Sequence, residues 1–357
     1  MTAAPRFHHL AVRELRRETP GAVSLTFNVP PALAAAYAFE PGQYLTLRAT
    51  INGEDLRRAY SICAGPGEAL RVAVKQVDDG AFSTWVNATL KPGDEIEVMT
   101  PTGRFGLNGD FADGRVHVGF AAGSGITPLL SILRGVLTRE PTSRFFLFYG
   151  SRSVEEILFR GELEELKDRY LGRLSLFHVL SRERQDVEVL NGRLDADKAR
   201  LLLRTIIPAA LIDHAFICGP EGMIGDLESA LADLGVNPET IHVERFVSAH
   251  GGRPKPAPPR ADTSGVRQLS ILVDGARRDI PAAEGEAILD AALRAGLDLP
   301  FSCKGGMCCT CRAKIVEGAA TMDVNYSLEP WEVAAGFVLT CQARPTTERV
   351  VVDFDHV

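Results

Sequence analysis

Four cysteines near the C-terminus carry the clearest chemistry in this chain: Cys303, Cys308, Cys311 and Cys341. They are spaced C-x4-C-x2-C, with 29 residues (312–340) before the last. That spacing fits a [2Fe–2S] cluster held by four thiolates. Three ligands on one short loop reach two irons only if the backbone curls tightly. Gly305 and Gly306 permit the curl, because they accept positive φ and bring no Cβ toward an inorganic core. Backbone N–H groups of such a loop can point at the sulfurs and tune the cluster. A zinc site more often brings two short-spaced pairs, and here the fourth ligand stands alone. A disulfide framework does not suit 357 residues without a secretory signal. Cys309 lies between two ligands and is not expected to be one. Cys63 and Cys218 lie in other segments.

The rest of the composition bounds the setting. Hydrophobic content of 45% and charged content of 24% are ordinary for a globular chain of two or three domains. Net charge is −7 with no basic block, which argues against nucleic acid as a partner. Met1 to Leu10 contain no apolar signal region. The apolar run 201–212 is broken by Arg204 and Pro208 and is too short to span a membrane. A cytoplasmic protein with no membrane partner is expected. Residues 248–265, SAHGGRPKPAPPRADTSG, hold no large apolar residue and read as a semi-rigid Pro/Gly linker.

Residues 7–108 read as short alternating strands, such as 22–27 and 70–74, bounded by Gly, Pro and Asn turns. They predict a small antiparallel barrel. Pro41-Gly42-Gln43-Tyr44 makes a turn before the strand 45–47. In a strand, Arg58 and Tyr60 of Arg58-Ala59-Tyr60-Ser61 share one face. A guanidinium there pairs with phosphate, and a phenol ring stacks on a flat heterocycle. Gly80-Ala81-Phe82-Ser83-Thr84-Trp85 reads as a helix start. Ser83 and the free N–H groups of its first turn would suit a pyrophosphate.

From Arg115 the pattern becomes strand–helix alternation, which predicts a parallel, doubly wound sheet with its ligand at the C-terminal strand ends. Strand 116–120 runs into Gly123-Ser124-Gly125-Ile126-Thr127-Pro128, a glycine turn with Pro128 starting the helix. Helices over 155–170 and 223–234 and strands over 144–150, 174–180 and 215–220 follow. Ser181-Arg182-Glu183 ends the third strand, and Arg182 could pair with a 2′-phosphate, favouring NADPH over NADH. Arg152 and Arg193 are weaker candidates for that pairing.

These motifs together resemble the ferredoxin–NADP⁺ reductase superfamily. Its Arg-x-Tyr-Ser motif is matched by Arg58, Tyr60 and Ser61. The resemblance implies that Tyr60 stacks on the flavin, Ser61 lies near flavin N5 and Arg58 contacts phosphate. The Gly-x-x-Ser match at Gly80 and Ser83 implies FAD, and Lys75, Phe82 and Thr84 belong to the same candidate set. The loop 101–105 also has a counterpart there. Cys218-Gly219-Pro220-Glu221-Gly222-Met223 is similar to the superfamily's nicotinamide-side motif. It implies cofactor positions at Gly219 and Met223 and a catalytic role for Cys218, alongside Ser61 and Glu244. Gly123, Gly125, Thr127, Ser181 and Arg182 are the remaining nucleotide candidates. Glu244 and Phe246, at the end of the domain, are expected against the flavin.

Strands 268–273 and 277–281 and a helix at 288–293 precede the cysteine loop, and this last unit resembles a β-grasp plant-type ferredoxin. The fold class expected is therefore multidomain. It comprises an antiparallel β-barrel flavin domain (1–110), an α/β doubly wound nucleotide domain (111–247), the linker, and a β-grasp ferredoxin domain (266–357). That order is similar to reductases that feed oxygenases. It implies electron flow from NAD(P)H to FAD, to the [2Fe–2S] cluster, and on to a di-iron oxygenase component. A redox sensor, or a flavin reductase with a vestigial ferredoxin domain, are the other readings. The presence of all four ligands speaks against the latter.

Overall fold

The computed structural model describes residues 5–246 and 267–356. The expected linker, 248–265, lies outside the described residues.

The first unit is a six-stranded antiparallel sheet. Its strands are β1 (Phe7–Thr19), β2 (Ala22–Asn28), β3 (Tyr44–Ile51), β4 (Glu54–Ser61), β5 (Arg71–Lys75) and β6 (Glu95–Met99), in the order β4-β3-β6-β1-β2-β5. An isolated bridge between Ile62 and Val72, with the Cys63 N–H donating to the Arg71 carbonyl at 2.9 Å, joins the two edges into a barrel. Inward residues alternate along the strands, and Leu10, Leu25, Leu45, Leu47 and Val72 fill the interior. Helix α1 (Ala81–Ala88) packs Phe82 and Val86 into that same core.

The second unit is the parallel sheet. It comprises β7 (Val116–Ala122), α2 (Ile126–Arg139), β8 (Arg144–Ser151), α3 (Arg160–Arg169), β9 (Leu174–Leu180), α4 (Ala196–Thr205), β10 (His214–Gly219), α5 (Glu221–Asp233) and β11 (Ile241–Arg245). The strand order is β11-β10-β7-β8-β9, so the order reverses between β7 and β10. Eleven of the 14 residues of α2 are buried, far more than one apolar stripe requires. The helix lies between the sheet and the barrel, and one core joins Ala22, Cys63 and Ala73 to Leu129, Leu133 and Phe145.

Two local expectations are corrected. The helix predicted over 155–170 begins only at Arg160, after a 3₁₀ turn at Val154–Glu156. Ile157, Leu158 and Phe159 are all buried, and three successive residues of one surface helix cannot all face a core. The chain instead turns at Phe159, whose φ is 57°. Pro128 is the third residue of α2, not the first, because a 3₁₀ turn at Gly123–Gly125 leads directly into Ile126.

The third unit is a mixed five-stranded sheet, β13-β12-β18-β14-β16, with a two-stranded ribbon, β15-β17. Its strands are β12 (Arg267–Val273), β13 (Ala276–Ala282), β14 (Arg312–Glu317), β15 (Ala320–Met322), β16 (Phe337–Leu339), β17 (Ala343–Pro345) and β18 (Arg349–Asp353). The buried face of α6 (Ile288–Arg294) packs Ile288, Leu289 and Ala292 onto Leu269, Val350 and Val352. This is the β-grasp arrangement. The short helix α7 (Pro330–Ala334) follows the cysteine loop.

Candidate functional site

Strand β4 presents different residues on its two faces. Paired against β3, Arg58 and Tyr60 lie opposite Leu47 and Leu45, while Arg57 and Ser61 lie opposite Arg48 and Tyr44. On the first face the Tyr60 ring sits 6.0 Å from that of Phe82. The Arg58 guanidinium is exposed and bonds to the Arg57 carbonyl at 2.8 Å, leaving other N–H donors for a phosphate. On the second face the Ser61 hydroxyl donates to the Glu244 carboxylate at 3.1 Å, across from barrel to parallel sheet. Glu244 pairs in register with Cys218 on the neighbouring strand. The structure thus brings Ser61, Glu244 and Cys218 together. Burial pushes the Glu244 carboxyl up to about 8, against the opposing pull of the Ser61 hydrogen bond. Burial, then the nearby Glu244, pushes the Cys218 thiol well above its usual range, so it stays neutral.

Two of the flavin-side candidates, Phe82 and Ser83, are buried. Phe82 belongs to the barrel core and its ring has no open face toward solvent. The Ser83 hydroxyl is buried and already engaged, accepting from the Val77 N–H and donating to the Gly80 carbonyl, both at 3.1 Å. It braces the turn before α1. Thr84 is exposed one residue on. Lys75 reaches over the nucleotide turn: its Nζ is 3.7 Å from Glu156 and would lie 3.8 Å from a methyl group on Gly123.

The turns after β7 and β10 nest together where the strand order reverses. A methyl on Gly125 would come within 2.0 Å of the Cys218 carbonyl oxygen, and one on Gly219 within 2.4 Å of the Met223 side chain. The Thr127 hydroxyl donates to the Ser124 carbonyl at 2.9 Å, closing the turn. This turn before α2 stands where the strand order reverses, the place at which open α/β sheets bind dinucleotides. Beyond β8 and β9, Arg182 N–H donates to the Arg152 carbonyl at 2.8 Å, so Ser181, Arg182 and Arg152 lie side by side. Arg152, Arg182 and Arg193 are all exposed. Phe246 packs partly against the core shared by barrel and sheet.

The cysteine loop is arranged as two thiol pairs, Cys303 with Cys308 and Cys311 with Cys341. Two pairs of thiols suit two irons, with two ligands to each. The Gly305 N–H donates to Cys303 Sγ at 3.3 Å and the Cys303 N–H to Cys308 Sγ at 3.4 Å. Lys304, Gly306 and Cys309 take positive φ to make the curl. Cys309 turns away, its thiol donating to the Ser327 carbonyl at 3.4 Å. The donor set and its N–H cradle fit the cluster.

The residues that hold this loop against the barrel were not anticipated. Arg57, 3% exposed, donates to Asp298 at 2.6 Å and to the Leu299 carbonyl at 3.2 Å, and lies 4.2 Å from the Phe301 ring. Arg104 and Arg312 both pair with buried Glu332, at 2.7 and 2.8 Å. Burial pushes the Glu332 carboxyl up, but these arginines hold it below its ordinary value. The one sequence signal was the pair Arg57-Arg58, since adjacent strand residues must serve opposite faces.

Three family models match the chain in order: an oxidoreductase FAD-binding domain over residues 12–106, an oxidoreductase NAD-binding domain over 120–229, and a 2Fe-2S iron-sulfur cluster binding domain over 271–346. A subunit of 1,2-phenylacetyl-CoA epoxidase from Escherichia coli (strain K12) is 47% identical over 352 residues, covering 98% of both chains. The ferredoxin reductase component of 3-ketosteroid-9-alpha-monooxygenase from Rhodococcus rhodochrous is 31% identical, covering 97% of this chain and 96% of the relative. Phthalate dioxygenase reductase has the same three-unit fold, with a TM-score of 0.60 at 24% identity, covering 97% and 98%. The chain belongs to the family of reductase components of oxygenases, which carry electrons from NAD(P)H through FAD to a [2Fe–2S] cluster. Among the described residues no helix is long and apolar enough to cross a membrane.

Bound FAD would supply two-electron acceptance from NAD(P)H and single-electron release toward a one-electron cluster. The protein's part is placement. The core shared by barrel and α2 fixes the Ser61 face against the Glu244–Cys218 pair, and neutral Cys218 adds no charge there.

Proposed function

We propose that this chain is the reductase of a phenylacetyl-CoA epoxidase of phenylacetate catabolism, delivering electrons to a di-iron oxygenase component. The observation that carries this reading is the 47% identity to a phenylacetyl-CoA epoxidase subunit over 98% of the chain, against 31% for the steroid system. In it, Arg58 and Tyr60 hold the flavin, with Gly80, Thr84 and the N–H groups of α1 beside its phosphates. Ser61 and Glu244 lie near its reactive edge, with Phe246 behind them. Cys218, Gly219 and Met223 flank the nicotinamide, and Gly123, Gly125, Thr127 and Lys75 the pyrophosphate. Arg182, with Arg152 beside it, takes the 2′-phosphate and favours NADPH. Cys303, Cys308, Cys311 and Cys341 ligate the cluster. The three cysteines outside the ligand set, Cys63, Cys218 and Cys309, form no disulfide, which suits a reducing, cytoplasmic setting.

The test is reconstitution with the epoxidase oxygenase component. NADPH oxidation should depend on phenylacetyl-CoA and yield its epoxide. A chain whose flavin and cluster both bleach with NADPH, yet which supports no epoxidation, serves a different acceptor.

A further inference from the structure

Tyr44 is the side chain of the flavin barrel that touches a cluster-ligand residue. It sits opposite Ser61 on the neighbouring strand, on the same face. Only 5% of it is exposed. Its hydroxyl donates to the Cys308 carbonyl and lies 2.8 Å from the Thr310 hydroxyl, which can donate back. The ring has little freedom. The Tyr44 backbone bonds to Thr102 in both directions, at 2.8 and 3.0 Å. One ring edge lies against the α-carbon of Gly103, where a methyl group would stand 2.9 Å from the ring and where φ is 113°. Arg57 and Arg104 secure the ferredoxin unit at Asp298 and Glu332, and Arg104 also reaches the thiol of Cys309 between the ligands.

We propose that Tyr44 is the positioning residue for electron transfer from the flavin to the cluster. Through one cross-strand pair and one hydrogen bond it connects the Ser61 face of the barrel to Cys308. The step moves a single electron and neither forms nor breaks a bond, so its rate depends on separation and coupling. A phenol fixed on both sides by backbone sets that separation. The proposal rests on the family's flavin-to-cluster order and is independent of which oxygenase is served.

The experiment uses Tyr44→Phe in the holoenzyme, with no oxygenase present. On anaerobic rapid mixing with NADPH, flavin bleaching should keep its wild-type rate while cluster bleaching slows about tenfold, as expected for a small misplacement of reacting groups. Hydrogen exchange of the oxidised protein should accelerate over residues 303–310 and stay unchanged over β4. Thr310→Val, which removes the second partner, should slow the same phase and leave the first untouched. Unchanged cluster bleaching in both variants overturns the proposal. So does equal slowing of both phases, or a slowing fully accounted for by a shifted cluster midpoint potential in an EPR-monitored titration.

Discussion

The Ser61 hydroxyl donates to the Glu244 carboxylate across the junction of barrel and parallel sheet, at 3.1 Å. The two residues are 183 positions apart, and in the proposed reading their meeting marks where flavin and nicotinamide converge. A carboxyl shielded from water beside a hydroxyl holds its proton near neutral pH, because burial disfavours the anion more than one hydrogen bond favours it.

That proton has a consequence for stability. The folded chain holds it up to about pH 8, whereas the unfolded chain releases it near 4.5. Between those values the folded state binds more protons, so stability falls as pH rises. Glu244→Gln should flatten the decline and melt higher than the parent above pH 8. Thermal unfolding of both proteins across this range decides it; parallel profiles would show that the carboxyl is ionised throughout.

Glu162 on α3 is the hub between barrel and nucleotide unit. Arg71 grips both its oxygens at 2.6 Å, Arg134 adds a third contact at 2.7 Å and Arg16 a fourth at 3.2 Å. Glu162→Gln leaves guanidinium groups around a neutral amide, and should cost about 3 kcal/mol. Urea unfolding measures the loss. A change well under 1 kcal/mol would mean the network is screened like surface pairs.

Gly125 has φ of −61°, so alanine there carries no backbone strain. Space decides otherwise, since the new methyl would meet the Cys218 carbonyl at 2.0 Å and one turn must move. Gly125→Ala should lose about 2 kcal/mol, as overpacked sites do, and bind NADPH more weakly. Calorimetry with a nucleotide titration tests both; unaltered binding would separate this turn from the nucleotide.

Three histidines stack across β7, β10 and β11: His117 to His214 at 5.6 Å and His214 to His242 at 5.3 Å between ring centres. Burial lowers all three, and His242, which also faces the other two imidazoles, falls to about 4. Glu140, Arg115, Asp110 and Asp213 are the charged groups facing the stack. The unfolded chain takes up these protons near 6.5, so stability is kept above that pH and lost as it falls toward about 4. His242→Phe should reduce the loss. Melting points at pH 7 and pH 5 compare the two proteins.

The cysteine loop, Arg58-x-Tyr60-Ser61 and the glycine turn at Gly123 were legible because each is a short segment with fixed spacing. The alternation of strands and helices announced the parallel sheet in the same way. Contacts between units left no such trace. Arg57 meets Asp298 241 residues away, and Arg104 meets Glu332 228 residues away, with no period to connect them. Ser83 reads as a ligand position from a helix start, yet which way α1 turns its first residues depends on the core beneath it, where Phe82 lies. The break at Phe159 likewise follows from three neighbouring apolar residues needing one core.

Strand β4 carries two interleaved messages, one in its even positions and one in its odd. Arg58 and Tyr60 share the face of Leu47 and Leu45, proposed to meet the flavin, while Arg57 and Ser61 on the other face reach the ferredoxin unit and the nucleotide unit. Any one of these letters can be changed and only its own message suffers. Deleting a single residue among them would exchange the two, turning Arg58 toward Asp298 and Tyr60 toward Glu244. The length of this strand is therefore held more tightly than its spelling.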